Sequence, residues 1–295
     1  MATLVKRAIF ARDGCAVHDV SCVGQESRSW SPPERSSGFG LVFIQQGAFV
    51  RRSNAVEAVM DPAVAYFEKA GQEQQVAHLP GREDRCTALS FTSSFLASMW
   101  GGNVDVPETP VFIGPDTMLA HRLLLTRGVE PIEQMVHVVG SVIARIEPTR
   151  LTSGRPSTAK ARRRIVEGAR EALSHDVNLS LIQLAELLAV SPHHLSRLFA
   201  QLTGQTLASY RISLRVANAL RRVHEGDRNL AWIAAEEGFS DHAHLTRTMR
   251  RKLGYTPSAL RSVLRDHPSA APPRLSRKSN QPVGHHLPEA RSPQQ

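Results

Sequence analysis

Along the first hundred residues the apolar positions come in short runs broken by turn formers. "FGLVFIQQGAFV" (39–50), "AVAYF" (63–67), "EQQVAHL" (73–79) and "CTALSF" (86–91) are rich in β-branched or aromatic residues. The breakers "DP" (61–62), "AGQ" (70–72) and "PGRED" (80–84) separate them. Short strands with frequent turns predict a sandwich or barrel rather than alternating βαβ units. Past residue 115 the apolar spacing changes to steps of three and four. Asp116 is placed to cap "TMLAHRLLLTRG", with Gly128 near its end. Pro131 then opens "IEQMVHVVGSVIARIE" at a position where proline is tolerated. Ile132, Met135, Val136, Val139, Ile143 and Ile146 give that helix one apolar face. The face either packs on the β-rich part or meets a twin, so helix 132–146 is the candidate contact of a homodimer.

"EPTRLTSGRPSTAK" (147–160), with two prolines and a glycine, reads as a linker. Helices are expected beyond it at 159–174, 180–188, 192–203, 207–225, 229–237 and 241–253, with a short last one after Pro257. Residues 266–295 are Pro/Ser-rich, poor in large apolar residues, and expected to be disordered. The organisation predicted is 1–147, a linker over 148–159, 160–265, and the tail.

The helical part repeats itself. "HLSR" at 194–197 returns as "HLTR" at 244–247, and at the same spacing Gly204 matches Gly254, Thr206 matches Thr256 and Arg211 matches Arg261. Each copy reads as helix, tight turn, helix. Gly238 closes the first helix of the second copy, while the first copy has Ala189 at the equivalent place, where a left-handed backbone costs about 1 kcal/mol. Ser191 and Ser240 are the expected caps of the second helices. At 100° per residue, Leu195, Leu198, Phe199 and Leu202 gather on one side of the first copy's second helix, with Arg197 and His193 opposite. Leu245, Met249 and Leu253 gather in the other copy, with Arg247, Arg251 and His244 opposite. A lone surface arginine is ordinarily solvated. Two at matched positions of paired helix-turn-helix units instead suit guanine O6/N7 in the major groove. The helix between the copies, some 19 residues, spans roughly 28 Å against the ~34 Å of one duplex turn.

Charge follows the same division. Residues 1–154 hold 14 Lys/Arg and 16 Asp/Glu, whereas residues 155–265 hold 18 and 9. The basic excess therefore sits with the repeat, as a polyanion-binding module requires. Hydrophobic residues make up 41% of the chain, enough for buried cores. The N-terminus lacks a signal-peptide core and no apolar run reaches the roughly 18 residues of a membrane span. Cys15, Cys22 and Cys86 form no metal-type cluster in sequence, and their odd number argues against a disulfide framework. A cytoplasmic location is expected.

Residues 160–265 resemble the double helix-turn-helix domain of the AraC/XylS family of bacterial transcription regulators. The resemblance is carried by "LAELLAVSPHHLSRLFAQLTGQTLASYRISLRVANAL" and "IAAEEGFSDHAHLTRTMRRKLGYTPSALR". It implies base contacts at His193, Ser196 and Arg197 from the first unit, and at His242, Ala243, His244 and Arg247 from the second. Ser191, Ser240, Arg250 and Arg251 are the candidate phosphate contacts. "WSPPERSSGFGLVFIQQGAFVRR", "DPAVAYF" and "EQQVAHLPG" are similar to cupin-like sensor domains, which implies a jelly-roll-type barrel that binds an effector or mediates dimerisation. The fold expected is thus α+β in two domains, a β-rich cupin-like one and an all-α one of two helix-turn-helix units on a long linker helix. His78 has no H-x-H partner, so no metal, no cofactor and no catalysis are expected. Phe43, Phe49, Tyr66 and Phe67 are the candidate effector-pocket residues, with Trp30 as a further aromatic. Promoter DNA, an effector of unknown identity and RNA polymerase are the partners this implies. A cupin-type enzyme with a fused DNA-binding domain and a non-specific nucleoid binder are the competing readings.

Overall fold

Residues 3–12, 14–23, 28–54, 56–80, 83–101, 105–126, 131–146 and 156–265 are described in a computed structural model. The first half builds two antiparallel sheets. One runs β1 (Thr3–Arg12), β2 (Cys15–Val23), β9 (Asp84–Phe91), β4 (Phe39–Gln46), β7 (Val64–Glu68), β10 (Val111–Phe112); the other runs β3 (Glu34–Arg35), β8 (Glu73–His78), β5 (Phe49–Ser53), β6 (Val56–Met60). The four predicted runs fall on five strands, because 39–50 breaks into β4 and the start of β5, which lie in different sheets. β1 and β2 went unpredicted because β1 lies largely exposed at a sheet edge and carries no core alternation, yet it pairs with β2 from Thr3↔Val23 to Arg12↔Cys15.

β4 explains how the halves stack. Val42 and Ile44 point between the sheets, against Phe49, Met60, Val64 and Tyr66. Leu41 and Phe43 point the other way, into a core shared with the helices. A strand covered on both faces reads as the continuous apolar run seen at 41–44. Covering that outer face are α1 (Ser93–Trp100), α2 (Pro115–Leu124) and α3 (Pro131–Ile143). The cap of α2 is a correction: Gly114 occupies the N-cap, and Asp116 lies in the first turn, where it pairs with Arg145 at 2.6 Å. Gly128 falls outside the described residues. Of the predicted apolar face of α3, Met135 and Val139 are fully buried within this chain, together with Val138 and Val142, on the side that meets α2, while Ile132, Val136, Ile143 and Ile146 are half-buried.

The second half is helical throughout: α4 (Pro156–His175), α5 (Leu181–Leu187), α6 (Pro192–Thr203), α7 (Leu207–His224), α8 (Leu230–Glu236), α9 (His242–Leu253) and α10 (Pro257–Arg265). α4 starts at Pro156, so the last four residues of the expected linker are helical; its earlier part and the tail from 266 lie outside the described residues. The core runs without a break from Leu41 and Phe43 through Val166, Tyr210 and Leu220 to Leu260.

A buried polar knot joins the halves. Asp61, between β6 and β7, accepts hydrogen bonds from Arg170 of α4 at 2.7 Å and from the Tyr210 hydroxyl of α7. Arg170 also pairs with Glu167 at 2.9 Å, and Glu167 accepts the Val59 N–H at 2.7 Å. Asp61 is 0% and Arg170 1% exposed, so the two charges survive burial only by facing each other.

Candidate nucleic-acid interface

Both helix-turn-helix units form as the repeat predicts, but their turns differ in detail. Ala189 takes φ +52° and Gly238 φ +72° at the equivalent turn positions. The second turn is the more crowded: a Cβ on Gly238 would stand 2.2 Å from the Asn178 side-chain oxygen, whereas Ala189 is exposed. Ser191 caps α6 by accepting the His194 N–H at 3.2 Å, with Pro192 opening the helix. The second cap is corrected by one residue. Asp241, not Ser240, caps α9, and the His244 N–H it accepts at 2.6 Å holds its carboxyl below the usual range.

The echoed residues divide into two kinds. Gly204 and Gly254 close α6 and α9 in the left-handed conformation, at φ +72° and +78°. Thr206 accepts the Ser209 N–H at 3.1 Å, and Thr256 the Ala259 N–H at 3.2 Å. Arg211 donates to the Leu179 carbonyl at 2.5 Å and Arg261 to the Asp227 carbonyl at 2.8 Å, each gripping the loop ahead of its unit. These three pairs are used inside the fold, as are Leu195 and Leu245, which are buried. Arg197 and Arg247 are not: both are exposed, and neither has a salt bridge among the described residues.

Around them the structure places His193, Ser196 and His242 in solvent and leaves Ala243 half-buried. His244 is committed to the turn, its Nδ1 3.1 Å from the Ser240 hydroxyl and its ring edge-on to Phe239 at 5.4 Å. Arg250 and Arg251 are exposed near the end of α9, with Ser191 and Ser240 exposed at the two helix starts. Beneath, Leu195, Leu198 and Phe199 in α6 and Leu245, Thr248 and Met249 in α9 are buried. The two exposed faces are set by the 18-residue α7, about 27 Å long.

The candidate effector residues do not converge. Phe49 and Tyr66 meet edge-on at 6.3 Å between the sheets, while Phe43 stacks on His121 at 4.5 Å and Phe67 packs near Phe39 at 5.8 Å on the opposite face. Trp30 lies under the Arg52 guanidinium at 3.9 Å. A groove of about 320 Å³ opens instead between α2, α3 and the end of α9, lined by Leu119, Leu123, His137 and Lys252 among others.

His78 is not solitary in space. Its Nδ1 lies 2.5 Å from Asp84 Oδ2, and the Cys22 thiol completes a buried trio with them. The Asp84 carboxylate, through that bond, is the main cause raising the His78 pKa to about 10. The expectation of an unclustered cysteine set is corrected by β2 bringing Cys22 beside Asp84. Neither the pairing of strands nor the closeness of residues 22, 78 and 84 has a local signal. Asp61 and Arg170 were missed for the same reason.

A family model described as a helix-turn-helix domain matches residues 184–262. The chain is 30% identical over 94 residues to an uncharacterised HTH-type transcriptional regulator, YidL, of Escherichia coli, a match covering 32% of each chain. It is 33% identical over 78 residues to the HTH-type transcriptional regulator GlxA of Rhizobium meliloti, covering 26% of this chain and 24% of that one. The chain thus spans about a third or less of the length of these relatives. A transcriptional regulator with an AraC-type DNA-binding domain from Chromobacterium violaceum overlays at TM-score 0.32 and 24% identity, over 36% of this chain and 94% of its own.

Proposed function

We propose, from the premise that residues 184–262 match a helix-turn-helix domain and resemble HTH-type regulators, that the protein is a sequence-specific DNA-binding regulator of transcription of the AraC type. Residues 160–265 are its reader and residues 1–147 its sensor or dimerisation part. α6 and α9 enter successive major grooves on one side of the duplex. Arg197 and Arg247 read guanines, flanked by His193 and Ser196 on α6 and by His242 and Ala243 on α9. Ser191, Ser240, Arg250 and Arg251 meet phosphates. His244, tied to Ser240, supports the turn and reaches a base only by giving up that contact.

One observation carries this reading: at matched positions of the two units Arg197 and Arg247 are exposed and make no salt bridge among the described residues, whereas the echoed Arg211 and Arg261 are spent on backbone carbonyls. The matched relatives are regulators of transcription by name, which supports a binding protein rather than an enzyme. None of the described helices is long and apolar enough to cross a membrane, and we place the protein in the cytoplasm with its DNA. An effector acts by favouring one arrangement of the two parts over another.

The test is fluorescence anisotropy of the full chain on the intergenic DNA upstream of its own reading frame and on a scrambled duplex of equal length, across a salt series. Tighter binding to the native fragment that persists at physiological salt supports the regulator. Equal, steeply salt-dependent binding to both would mean that only charge is read.

A further inference from the structure

We infer that Cys22, His78 and Asp84 form a binding site for a thiophilic divalent cation of the zinc type, set at the end of the β-sandwich where the chain crosses from one sheet to the other. The three come from different strands: Cys22 from the end of β2, His78 from the end of β8, and Asp84 from the start of β9. Strand pairing positions them, since Cys22 sits opposite Asp84 in the β2–β9 ladder and His78 closes the β5–β8 ladder opposite Phe49. The thiol sulfur, an imidazole nitrogen and a carboxylate oxygen all lie within 4.8 Å of one another. Zinc bonds of about 2.0–2.3 Å to N, O and S ask donors to stand roughly 3–4 Å apart, so small side-chain rotations suffice.

The chemistry of the set is selective. One thiolate, one imidazole and one carboxylate suit zinc, and a thiolate disfavours magnesium or calcium, which take all-oxygen shells. A divalent ion with one thiolate and one carboxylate is charge-neutral. That condition lets such a group sit where Cys22, His78 and Asp84 are 4%, 8% and 6% exposed. Three protein donors leave a fourth position for water or a further ligand. The ion ties β2 to the β8–β9 connection, joining the two sheets at one end. Asp84 is followed by Arg85, which grips Asp19 at 2.7 Å and lies 3.9 Å from Glu225 at the end of α7. The site is therefore one residue away from a contact between the β-rich part and the helix that spaces the two reading units.

The measurement is titration of the full, reduced, metal-stripped chain with Co2+ as a spectroscopic probe, followed by displacement with Zn2+. The expected result is one equivalent bound, with a near-ultraviolet sulfur-to-metal charge-transfer band that Zn2+ abolishes. Cys22→Ser, nearly isosteric, should lose the band while Cys15→Ser keeps it. Zn2+ should raise the melting temperature of the wild type and not of Cys22→Ser, with far-ultraviolet circular dichroism confirming that both are folded. No stoichiometric uptake, or a charge-transfer band that survives in folded Cys22→Ser, overturns the site. The readout uses no DNA, so its failure is separate from failure of the regulatory reading.

Discussion

Arg197 and Arg247 are exposed and make no salt bridge among the described residues, unlike the arginines that serve the fold of the helical part. Arg211 and Arg261 each reach a backbone carbonyl, and Arg170 and Arg222 pair with carboxylates at 2.7 and 2.6 Å. Exposure beside a half-buried or small residue is what a base contact needs, because a bidentate bond is made only if the guanidinium can approach the groove floor. Arg197→Ala and Arg247→Ala are each expected to cost about 1–3 kcal/mol on the cognate site and little on random DNA, read from anisotropy on the two duplexes. The two turns give a second expectation at this scale. Ala189 is an exposed residue in a left-handed conformation with no packing that demands its methyl group. Ala189→Gly should raise stability by about 0.5–1 kcal/mol, the relief of strain less the entropy glycine adds to the unfolded chain. A shift of the urea midpoint to higher concentration checks it, and DNA affinity should stay unchanged.

At the scale of elements, each reading helix is held by a grip outside it. α7 carries Arg211 back to the loop before α5, and α10 carries Arg261 back to the loop before α8. The two grips are equivalent in the repeat but act on separate units. Arg211→Met should therefore raise amide hydrogen exchange over 179–190 and leave 227–238 protected, and Arg261→Met should do the reverse. Each loss is worth about 1.5–3 kcal/mol, the usual range for a hydrogen bond involving a charged group. Equal loosening of both units by either variant would show that they open together and that the grips are not local. The periodicity of the helices made these elements readable: α6 is found at the predicted 192–203. Ser240 was a legible cap candidate that lost to Asp241, since both stand before the first helical residue and the turn after Gly238 decides which one aims at the His244 N–H.

For the whole molecule the Asp61–Arg170–Tyr210 knot decides how the halves sit. Removing one charge leaves the other buried and unpaired, so Asp61→Asn should cost roughly 3–5 kcal/mol, and Asp61→Asn with Arg170→Met clearly less than the two single costs together. Urea denaturation of the four variants gives the coupling. Tyr210 also rests on Phe199 of α6 at 5.2 Å, so the knot is one side chain away from a reading helix. A second joint, where α2 and β9 meet α7, sets a pH dependence. His121 faces Arg122, Phe43 and the Thr87 hydroxyl; His224 faces Arg122 and Arg85; Glu225, Arg221 and Asp19 complete the surroundings. Burial, then the Arg122 charge, pushes His121 well down and His224 to about 3. Both stay neutral when folded while an unfolded histidine takes up a proton near pH 6.5. Their contribution is whole above that pH and is lost as pH falls towards 3, by roughly 1–2 kcal/mol per pH unit at first. Melting temperatures between pH 7.5 and 5 should fall accordingly, and a His224→Gln variant should flatten the slope.

The sequence by itself determined the local order. Short apolar runs between turn formers, apolar steps of three and four, capping residues and an echo at fixed spacing are short-range signals. They were enough for the four strand runs, for every helix from α4 to α10, and for the face carrying Arg197 and Arg247. Only the tertiary structure decided what distant residues do to one another. Asp61 stood in a "DP" that looked like a turn and proved to be the anchor of α4 and α7. His78 looked alone because its partners are 56 positions before it and six after it, and only the β2–β9 pairing brings the first of them near. Phe43, Phe49, Tyr66 and Phe67 looked like one pocket, but alternation along paired strands sends them to opposite faces. A one-dimensional pattern records what each segment must bury; which segments bury one another depends on strand order and sheet stacking, which no local pattern carries.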